Sequence, residues 1–321
     1  MIFESLPTTP TDEELIDTAF SRAARAGRAK SGVEAQESML LTASNVLSDN
    51  LENVVTAWPD FEAIDPFYRE LADAIADVDA LKQHLSEIGW AARKTKELGR
   101  EYQGKVRGKS PDAARKIRKQ GFARMADVVE EIGDDLTAVG TARDDLKRLP
   151  DIRPDEPTLV IAGYPNVGKS SFVNAVTNAE NEIAEYPFTT TGIRVGHIEH
   201  QRIRYQLVDT PGLLDRPAEE RNAIERQAVS AIEHVADGVL VFLDPSGTCG
   251  YPIEAQLELR DELVARFDDV PVLTVANKSD LSTDVEADHY MSVTDDDNID
   301  TVLTAAIEAL DYRPELPTRD G

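Results

Sequence analysis

The stretch that decides the fold of the second half of the chain is Thr158-Leu-Val-Ile-Ala-Gly-Tyr-Pro-Asn-Val-Gly-Lys-Ser-Ser171. A short apolar run ends at Gly163, and after four more residues come Gly168, Lys169 and Ser170. This G-x-x-x-x-G-K-S pattern, placed after a buried strand and before a helix, predicts a loop that cradles phosphate groups. Its glycines let successive backbone N–H groups turn inward, and the start of the following helix adds a positive end.

The predicted phosphate loop supplies side chains as well as backbone. We expect Lys169 to reach the β- and γ-phosphates of a nucleotide and the Ser170 hydroxyl to coordinate Mg²⁺. The loop residues expected to contact the nucleotide are Gly163, Tyr164, Pro165, Asn166, Val167, Gly168, Lys169, Ser170 and Ser171. The pattern can arise by chance, so the interpretation depends on the motifs that follow it.

Two further motifs have the residue types that a nucleotide switch requires. Asp209-Thr-Pro-Gly212 ends an apolar strand, where Asp209 can hold Mg²⁺ through a water and the Gly212 N–H can sense the γ-phosphate. Between this motif and the phosphate loop lies Tyr186-Pro-Phe-Thr-Thr-Thr191. A threonine there can coordinate Mg²⁺ only while the γ-phosphate is present, so this segment is predicted to order and disorder with nucleotide state.

The remaining motifs predict which base is bound. The Asp280 carboxylate of Asn277-Lys-Ser-Asp280 can accept hydrogen bonds from the N1–H and amino group of guanine, whereas N1 of adenine is itself an acceptor. Asn277 is expected to bond guanine N7 and the phosphate loop, and the stem of Lys278 to cover the ring. Ser292 and Val293, after the next strand, can bring a backbone N–H to guanine O6.

The order of these five motifs, each at the end of a strand, predicts a doubly wound GTP-binding domain. Its sheet is expected to be mostly parallel and six-stranded, with helices on both faces. Strands are predicted at 158–162, 194–198, 203–208, 238–243, 272–276 and 290–293, and helices at about 169–178, 218–236, 252–267 and 297–310. The short gap between the second and third strands predicts an antiparallel hairpin at one edge.

The first half of the chain has only helical periodicity. Thr11 and Glu14 form a capping-box pattern ahead of the first helix, and helical patterns continue through 31–55, 65 to about 108, and 110–147. We therefore predict an antiparallel helical bundle at 1–148, a proline-rich linker at 149–157, a GTPase domain at 158–311 and a loose tail at 312–321.

Composition narrows the class of protein. The chain has 321 residues, 60 acidic against 34 basic side chains, and a formal net charge of −26, with an ordinary apolar content of 41%. We interpret the acidity as halophilic adaptation to a salt-rich cytoplasm; an acidic mesophilic protein is the alternative. The one cysteine, Cys249, excludes an intramolecular disulfide, and no signal peptide or membrane-length apolar run is visible. We expect a soluble, cytoplasmic monomer without membrane or DNA partners.

Although the chain is acidic overall, basic residues are concentrated in one stretch, 93–119. The cations expected to contact RNA are Arg93, Lys94, Lys96, Arg100, Lys105, Arg107, Lys109, Arg115, Lys116, Arg118 and Lys119. Such density favours binding to a phosphate backbone, and no base-reading module accompanies it. The alternative is a solvated helix face with ordinary packing.

At the level of motifs, the chain resembles the Obg-like GTPases of the TRAFAC class. It is most similar to the archaeal form of the nucleolar GTP-binding protein 1 (Nog) family. The likeness is carried by the phosphate loop, 186–191 with 195–197, 209–217, and two more specific stretches at 219–227 and 244–251 with 253–254. In the first half of the chain the resemblance is architectural only.

The resemblance implies further roles. Thr190 would be the Mg²⁺-sensing threonine, with Thr189 beside it at the nucleotide, and Lys169, Thr190 and Gly212 would form the catalytic set. Position 213, a water-orienting glutamine in many GTPases, is Leu213, which implies slow intrinsic hydrolysis. Asn166 would either help to hold a K⁺ ion near the phosphates or only shape the loop. The implied RNA is rRNA of the assembling large ribosomal subunit.

Three functions remain compatible with these residues. The first is a GTPase that acts as a switch in large-subunit assembly, with GTP hydrolysis releasing a docked helical domain. The second is a ribosome-bound placeholder whose GTP turnover is incidental. The third is a general Obg-like translation or stress GTPase. An ATPase is disfavoured because Asp280 would repel N1 of adenine.

Overall fold

The computed structural model describes residues 2–148, 152–177, 182–184, 193–210 and 214–313; for 182–184, 193, 218, 223, 224 and 227 the description is limited to the backbone. The described chain forms two compact units. One contains residues 2–64 and 76–147, and the other contains residues 65–75 and 148–313.

Six helices make up the N-terminal half: α1 (Asp12–Arg28), α2 (Gly32–Thr56), α3 (Pro66–Ala76), α4 (Val78–Val106), α5 (Pro111–Glu131) and α6 (Gly133–Leu146). The predicted capping box is present, because Thr11 Oγ1 accepts from Glu14 N at 3.2 Å and Thr11 N donates to Glu14 Oε2 at 3.0 Å. Helix α2 packs most extensively against α4, and buried leucines from this face form much of the core of the bundle. The predicted helical domain is confirmed.

Two predicted helical stretches are each divided in the structure. The stretch from 65 to 108 breaks at Asp77, which has a φ of +44° and caps α4 by accepting from Ala80 N at 3.1 Å. The stretch from 110 to 147 breaks where Ile132 leaves the helical conformation, and α6 starts at Gly133. A Cβ at Gly133 would lie 3.3 Å from Asp12 Oδ2, so glycine permits this close approach.

Helix α3 belongs by its contacts to the unit that carries the sheet, although the sequence places it among the bundle helices. The Tyr68 hydroxyl donates to the Ile152 carbonyl at 2.5 Å, and Glu70 Oε1 lies 2.9 Å from His234 Nε2. One segment of the N-terminal half is thus attached to the sheet unit by specific side-chain contacts.

The described strands are β1 (Thr158–Ala162), β2 (Glu182–Ala184), β3 (Ile193–His200), β4 (Ile203–Asp209), β5 (Gly238–Leu243), β6 (Val272–Ala276) and β7 (His289–Tyr290). Their order in the sheet is β2-β3-β4-β1-β5-β6-β7. Strands β4, β1, β5, β6 and β7 run parallel, and β2–β3 and β3–β4 are antiparallel pairs. Five of the six predicted strands and the hairpin are confirmed, and β2 is a short addition at the antiparallel edge. The strand predicted at 290–293 is instead the two-residue strand β7.

Helices of the sheet unit are α7 (Lys169–Val176), α8 (Ala223–Glu233), α9 (Ile253–Arg266) and α10 (Ile299–Ala309), with a 3₁₀ turn at Ala218–Glu220. The predicted helix from 218 to 236 is therefore shorter than expected. Every residue of β1 and β5 is buried, as apolar central strands of a parallel sheet require. The carboxyl ends of β1, β4, β5 and β6 lie at one edge, which is where such sheets bind ligands.

Strand β7 ends two residues before Ser292 because the chain turns there. Ser292 N donates to the Asp297 carbonyl at 3.1 Å, and Asp297 N donates back to the Ser292 carbonyl at 2.9 Å. This turn places Ser292 beside the end of β6. Within the described part of the chain, no helix combines the length and apolar character needed to cross a bilayer.

Candidate functional site

The phosphate loop follows β1 and requires glycine at two positions. Gly163 has a φ of +128°, and a Cβ there would lie 2.4 Å from the Phe242 carbonyl oxygen in β5. Gly168 has a φ of +105°, and a Cβ there would lie 2.1 Å from Asn277 Nδ2. Both backbone conformation and close packing therefore exclude larger residues, and the loop lies against β5 and the end of β6.

Lys169, the first residue of α7, is only 6% exposed. Its ammonium donates to the carbonyls of Gly163 at 2.5 Å and Tyr164 at 2.9 Å. Burial lowers the pKa of Lys169, although the negative charges of Asp209 and Asp215 oppose that shift. Among the described residues no carboxylate lies within ion-pair distance of this ammonium, so an anion bound in the loop would provide its counter-charge.

The residues predicted to hold Mg²⁺ lie together. Ser170 Oγ donates to Asp209 Oδ2 at 2.5 Å, and Asp209 is fully buried at the end of β4. Asp209 Oδ1 is buried without a hydrogen-bond partner among the described residues. Burial raises the pKa of Asp209, while the Ser170 hydrogen bond and the charges of Lys169 and Arg194 oppose the rise. A carboxylate with an unsatisfied oxygen beside a hydroxyl fits the oxygen ligands that Mg²⁺ prefers.

Asn277 connects three segments of the site. Its Nδ2 donates to the Val167 carbonyl of the phosphate loop at 2.8 Å, and its Oδ1 accepts from Val293 N at 3.3 Å. The side chain is buried. The end of β6 is thereby joined to the phosphate loop and to the turn after β7, so the phosphate and base regions share one rigid support.

Asp280 is exposed at the same edge, and its Oδ1 accepts from the Ser292 hydroxyl at 2.6 Å. The backbone N–H of Ser292 bonds Asp297, and that of Val293 bonds Asn277. The sequence assigned the pair at 292–293 to a backbone contact with guanine O6. The structure adds a side-chain role, because Ser292 orients the carboxylate of Asp280.

Lys278 has partners that the sequence did not predict. Its ammonium donates to the Asn166 carbonyl at 3.0 Å, to Asp244 Oδ2 at 2.6 Å and to Thr248 Oγ1 at 2.8 Å. The sequence stretch from 244 to 251 contributed to the family resemblance but had no assigned role. Its position directly after β5, at the ligand-binding edge, is the signal that could have identified Asp244.

The other loop residues differ in exposure. Asn166 is exposed with a φ of +62°, Val167 is buried, and the Tyr164 ring packs on Tyr251 with centroids 4.5 Å apart. Pro165 is half-buried and Ser171 is exposed. Four residues of the predicted site lie outside the described part of the chain: Thr189, Thr190, Gly212 and Leu213.

Nine of the eleven predicted RNA-contacting cations are exposed: Arg93, Lys96, Arg100, Lys105, Arg107, Lys109, Arg115, Lys116 and Lys119. Lys94 and Arg118 are half-buried. Arg118 donates to Gln36 Oε1 at 2.9 Å and lies 4.8 Å over the Phe122 ring, so it has a packing role.

The cations also differ in their partners. Four of them lie near carboxylates: Lys94 with Glu97 at 3.0 Å, Lys105 with Glu101 at 2.5 Å, Arg107 with Glu37 at 3.9 Å and Arg115 with Asp112 at 4.0 Å. Six have no ion pair with another described residue: Arg93, Lys96, Arg100, Lys109, Lys116 and Lys119. These six therefore have no ion pair among the described residues to break when an external anion binds.

One edge of the sheet carries a phosphate loop with a buried lysine, a Mg²⁺-compatible Ser170–Asp209 pair and the Asn277–Asp280 motif. This combination defines a P-loop GTP-binding protein. Residues 3–153 match the family described as "NOG1 N-terminal helical domain", and residues 158–278 match the family described as "50S ribosome-binding GTPase".

Two curated proteins and one solved structure are similar to this chain. An uncharacterised Methanocaldococcus jannaschii protein is 38% identical over 289 residues, which cover 87% of this chain and 81% of that protein. Nucleolar GTP-binding protein 1 of Eremothecium gossypii is 33% identical over 289 residues, covering 87% of this chain and 45% of the relative. A Plasmodium falciparum structure described as nucleolar GTP-binding protein 1 shares 31% identity, covering 51% of this chain and 90% of that one, with a TM-score of 0.46.

The chain belongs to the nucleolar GTP-binding protein 1 family. It spans less than half the length of the Eremothecium relative.

Proposed function

We propose that the chain hydrolyses GTP to GDP and phosphate in a Mg²⁺-dependent reaction, and that nucleotide state controls its binding to the assembling large ribosomal subunit. The observation that carries this proposal is the convergence of Lys169, the Ser170–Asp209 pair and Asp280 at one edge of the sheet. Each group has the chemistry that one part of a GTP–Mg²⁺ complex requires.

Nucleotide phosphates would replace the two carbonyls as partners of Lys169. The buried ammonium would then gain a full counter-charge, which favours phosphate binding. Ser170 and Asp209 would hold Mg²⁺, which neutralises charge on the phosphate oxygens. Asp209 would act through a water, and Thr190 and Gly212 would respond to the γ-phosphate.

Asp280 supports guanine as the base. A carboxylate accepts from both the N1–H and the amino group of guanine, whereas the lone pair on adenine N1 would face it. Asn277 already joins the base region to the phosphate loop, and the Lys278 stem would cover the ring, so the base pocket is largely formed before nucleotide binds.

Slow intrinsic hydrolysis is part of the proposal, because Leu213 cannot orient the attacking water by hydrogen bonding. Asn166 has a φ of +62°, which asparagine tolerates, and its carbonyl accepts from Lys278. These contacts support a role in shaping the loop. Coordination of K⁺ by its side chain is a separate hypothesis with its own test.

RNA is the proposed partner of the helical unit. Arg93, Lys96 and Arg100 are spaced at i, i+3 and i+7 on α4, so they lie on one face of the helix. They line a common surface groove together with Glu97 and Glu101. Their charges are not paired with carboxylates of other described residues. The ribosomal description of the matched GTPase family and the nucleolar names of relatives support rRNA of the large subunit as the RNA.

A ribosome-bound placeholder with incidental turnover is the second candidate, and the slow hydrolysis expected from Leu213 is compatible with either function. The two are separated by measuring GTP hydrolysis with and without immature large-subunit particles, together with binding of the chain in its GTP and GDP states. A switch requires stimulated hydrolysis and weaker binding after hydrolysis. Unstimulated hydrolysis with equal binding in both states would establish the placeholder.

A further inference from the structure

The loop from Asp244 to Tyr251 folds around a buried carboxylate. Asp244 follows β5 and is fully buried. It accepts from the backbone N–H groups of Ser246 at 3.0 Å and Cys249 at 2.7 Å, and from the Thr248 hydroxyl at 3.0 Å. The Ser246 hydroxyl also donates to it. The carboxylate is therefore held in one orientation by its own loop.

Helix α9 fixes the backbone of the same residue. Gln256 Oε1 accepts from Asp244 N at 2.7 Å, and Gln256 Nε2 donates to the carbonyls of Asp244 at 3.2 Å and Tyr251 at 3.0 Å. Gln256 is itself buried. Gln256 thus holds the first and last residues of the loop, Asp244 and Tyr251, in place.

One partner of this carboxylate comes from the base-recognition motif. Asp244 Oδ2 accepts from Lys278 Nζ at 2.6 Å, and the same ammonium reaches the Asn166 carbonyl at 3.0 Å. Burial alone would raise the pKa of Asp244, but the hydrogen bonds from Lys278, Ser246, Cys249 and Thr248 outweigh burial and lower it to about 2. The Asp244 carboxylate is therefore ionised at neutral pH.

We propose that Asp244 is a positioning residue for guanine-nucleotide binding, which holds the Lys278 ammonium against the phosphate loop so that the lysine stem lies where the base binds. The proposal rests on the guanine-nucleotide binding proposed above. A free lysine side chain samples many rotamers, and fixing one of them costs conformational entropy. Since Asp244 orders Lys278 in advance, the nucleotide does not have to order it on binding.

The test compares release of a fluorescent GDP analogue from the whole chain and from Asp244→Asn. Asparagine keeps the shape of the side chain but removes its charge, and we expect GDP release to become about tenfold faster. Asp237→Asn is the matched control, because Asp237 lies just before β5 and its carboxylate accepts from Thr158 N at 2.7 Å, away from the site. This control is expected to leave GDP release unchanged even if it lowers thermal stability.

A double-mutant cycle with Lys278→Met separates positioning from a general structural role. If Asp244 acts through Lys278, then Asp244→Asn adds less than about twofold to the release rate when Lys278 is already methionine. Thr248→Val is a milder variant in case Asp244→Asn misfolds. It removes an exposed hydroxyl that accepts from Lys278, and we expect release to become about threefold faster.

The outcomes are distinct. GDP release from Asp244→Asn or Thr248→Val at the wild-type rate, or effects that are independent of Lys278, would overturn the positioning role while leaving guanine binding intact. A wild-type chain that shows no preference for GDP over ADP would overturn both the proposed function and this inference.

Discussion

The Ser292 hydroxyl donates a 2.6 Å hydrogen bond to Oδ1 of Asp280, although the two residues lie 12 positions apart in the chain. Ser292 is buried in the turn after β7, and Asp280 is exposed near the start of the loop after β6. The carboxylate proposed to recognise guanine is therefore oriented by the turn that follows β7.

Replacing Ser292 by alanine should weaken GDP binding without changing base preference. The loss of one hydrogen bond to a charged group predicts about a five- to tenfold increase in Kd, measured by titration calorimetry. Asp280→Asn is the contrasting variant. Its amide can donate to the C2 carbonyl of xanthine, so its preference should change from guanine to xanthine nucleotides. An equal loss of GDP and XDP binding in Asp280→Asn would contradict the role of this carboxylate.

Lys169→Met should lower nucleotide affinity without lowering the free energy of unfolding. The buried ammonium has a pKa lowered by burial and only carbonyl partners among the described residues, so methionine removes a desolvation cost. We expect GDP affinity to fall by about 100-fold or more while the free energy of unfolding without nucleotide stays equal or rises. Urea unfolding of the nucleotide-free chain measures the second quantity, and a loss above about 2 kcal/mol would show that the ammonium stabilises the fold.

Mg²⁺ affinity should depend on pH through Asp209, whose pKa is raised by burial above its ordinary value of 3.8. The folded state binds the Asp209 proton more tightly than the unfolded chain does. Above pH 3.8 the ionised carboxylate therefore lowers the free energy of unfolding, and this loss is recovered as the pH falls through the raised pKa. Mg²⁺ requires the ionised form, so its affinity should fall over the same range. Titration of Mg²⁺ into the GDP complex at a series of pH values tests this, and Asp209→Asn should remove the pH dependence.

Potassium activation can be tested with a substitution that preserves loop geometry. Asn166 has a φ of +62°, which glycine adopts without strain, so Asn166→Gly removes the amide and keeps the backbone. If Asn166 holds K⁺, replacing NaCl with KCl should raise the wild-type hydrolysis rate about tenfold, or about 1.4 kcal/mol of barrier, and leave the variant unchanged. Equal rates in both salts for the wild-type chain would leave only the loop-shaping role.

The unpaired cations on α4 should contribute more to RNA binding than the paired ones. Lys96 and Arg100, replaced together by glutamine, should weaken RNA binding about tenfold and reduce the slope of log K against log salt by about 1.4 to 1.8. Lys94 and Lys105, which pair with Glu97 and Glu101, form the matched control with the same change in charge. Their double replacement should change affinity less than about twofold. Equal losses in both variants would indicate an unspecific effect of net charge.

The sequence was sufficient for the elements whose signal is local. The phosphate loop is encoded within a few residues, because its glycines and lysine act through backbone conformation and one side chain. The central strands were predictable as continuous apolar runs, and the cap at Thr11 was predictable from adjacent residues. Their interactions span only a few positions along the chain.

The breaks between helices were not predictable in the same way. Asp77 lies inside a helical pattern, yet it adopts a φ of +44° and starts a new helix, and α3 belongs to the sheet unit. Periodicity reports which residues are apolar, but it does not report which neighbouring surface buries them. Assignment of α3 therefore depends on contacts such as that of Tyr68 with Ile152.

For the site, the chemical groups and their positions at strand ends follow from the sequence, since parallel strands bring their carboxyl ends to one edge. Which groups meet depends on the folded structure: Ser292 meets Asp280, Asp244 meets Lys278, and Glu97 meets Lys94 but not its neighbouring arginines. A hydrogen bond or an ion pair depends on distances of a few ångströms between side chains. Those distances are set by strand order, turn geometry and packing together, not by residue type or by spacing along the chain.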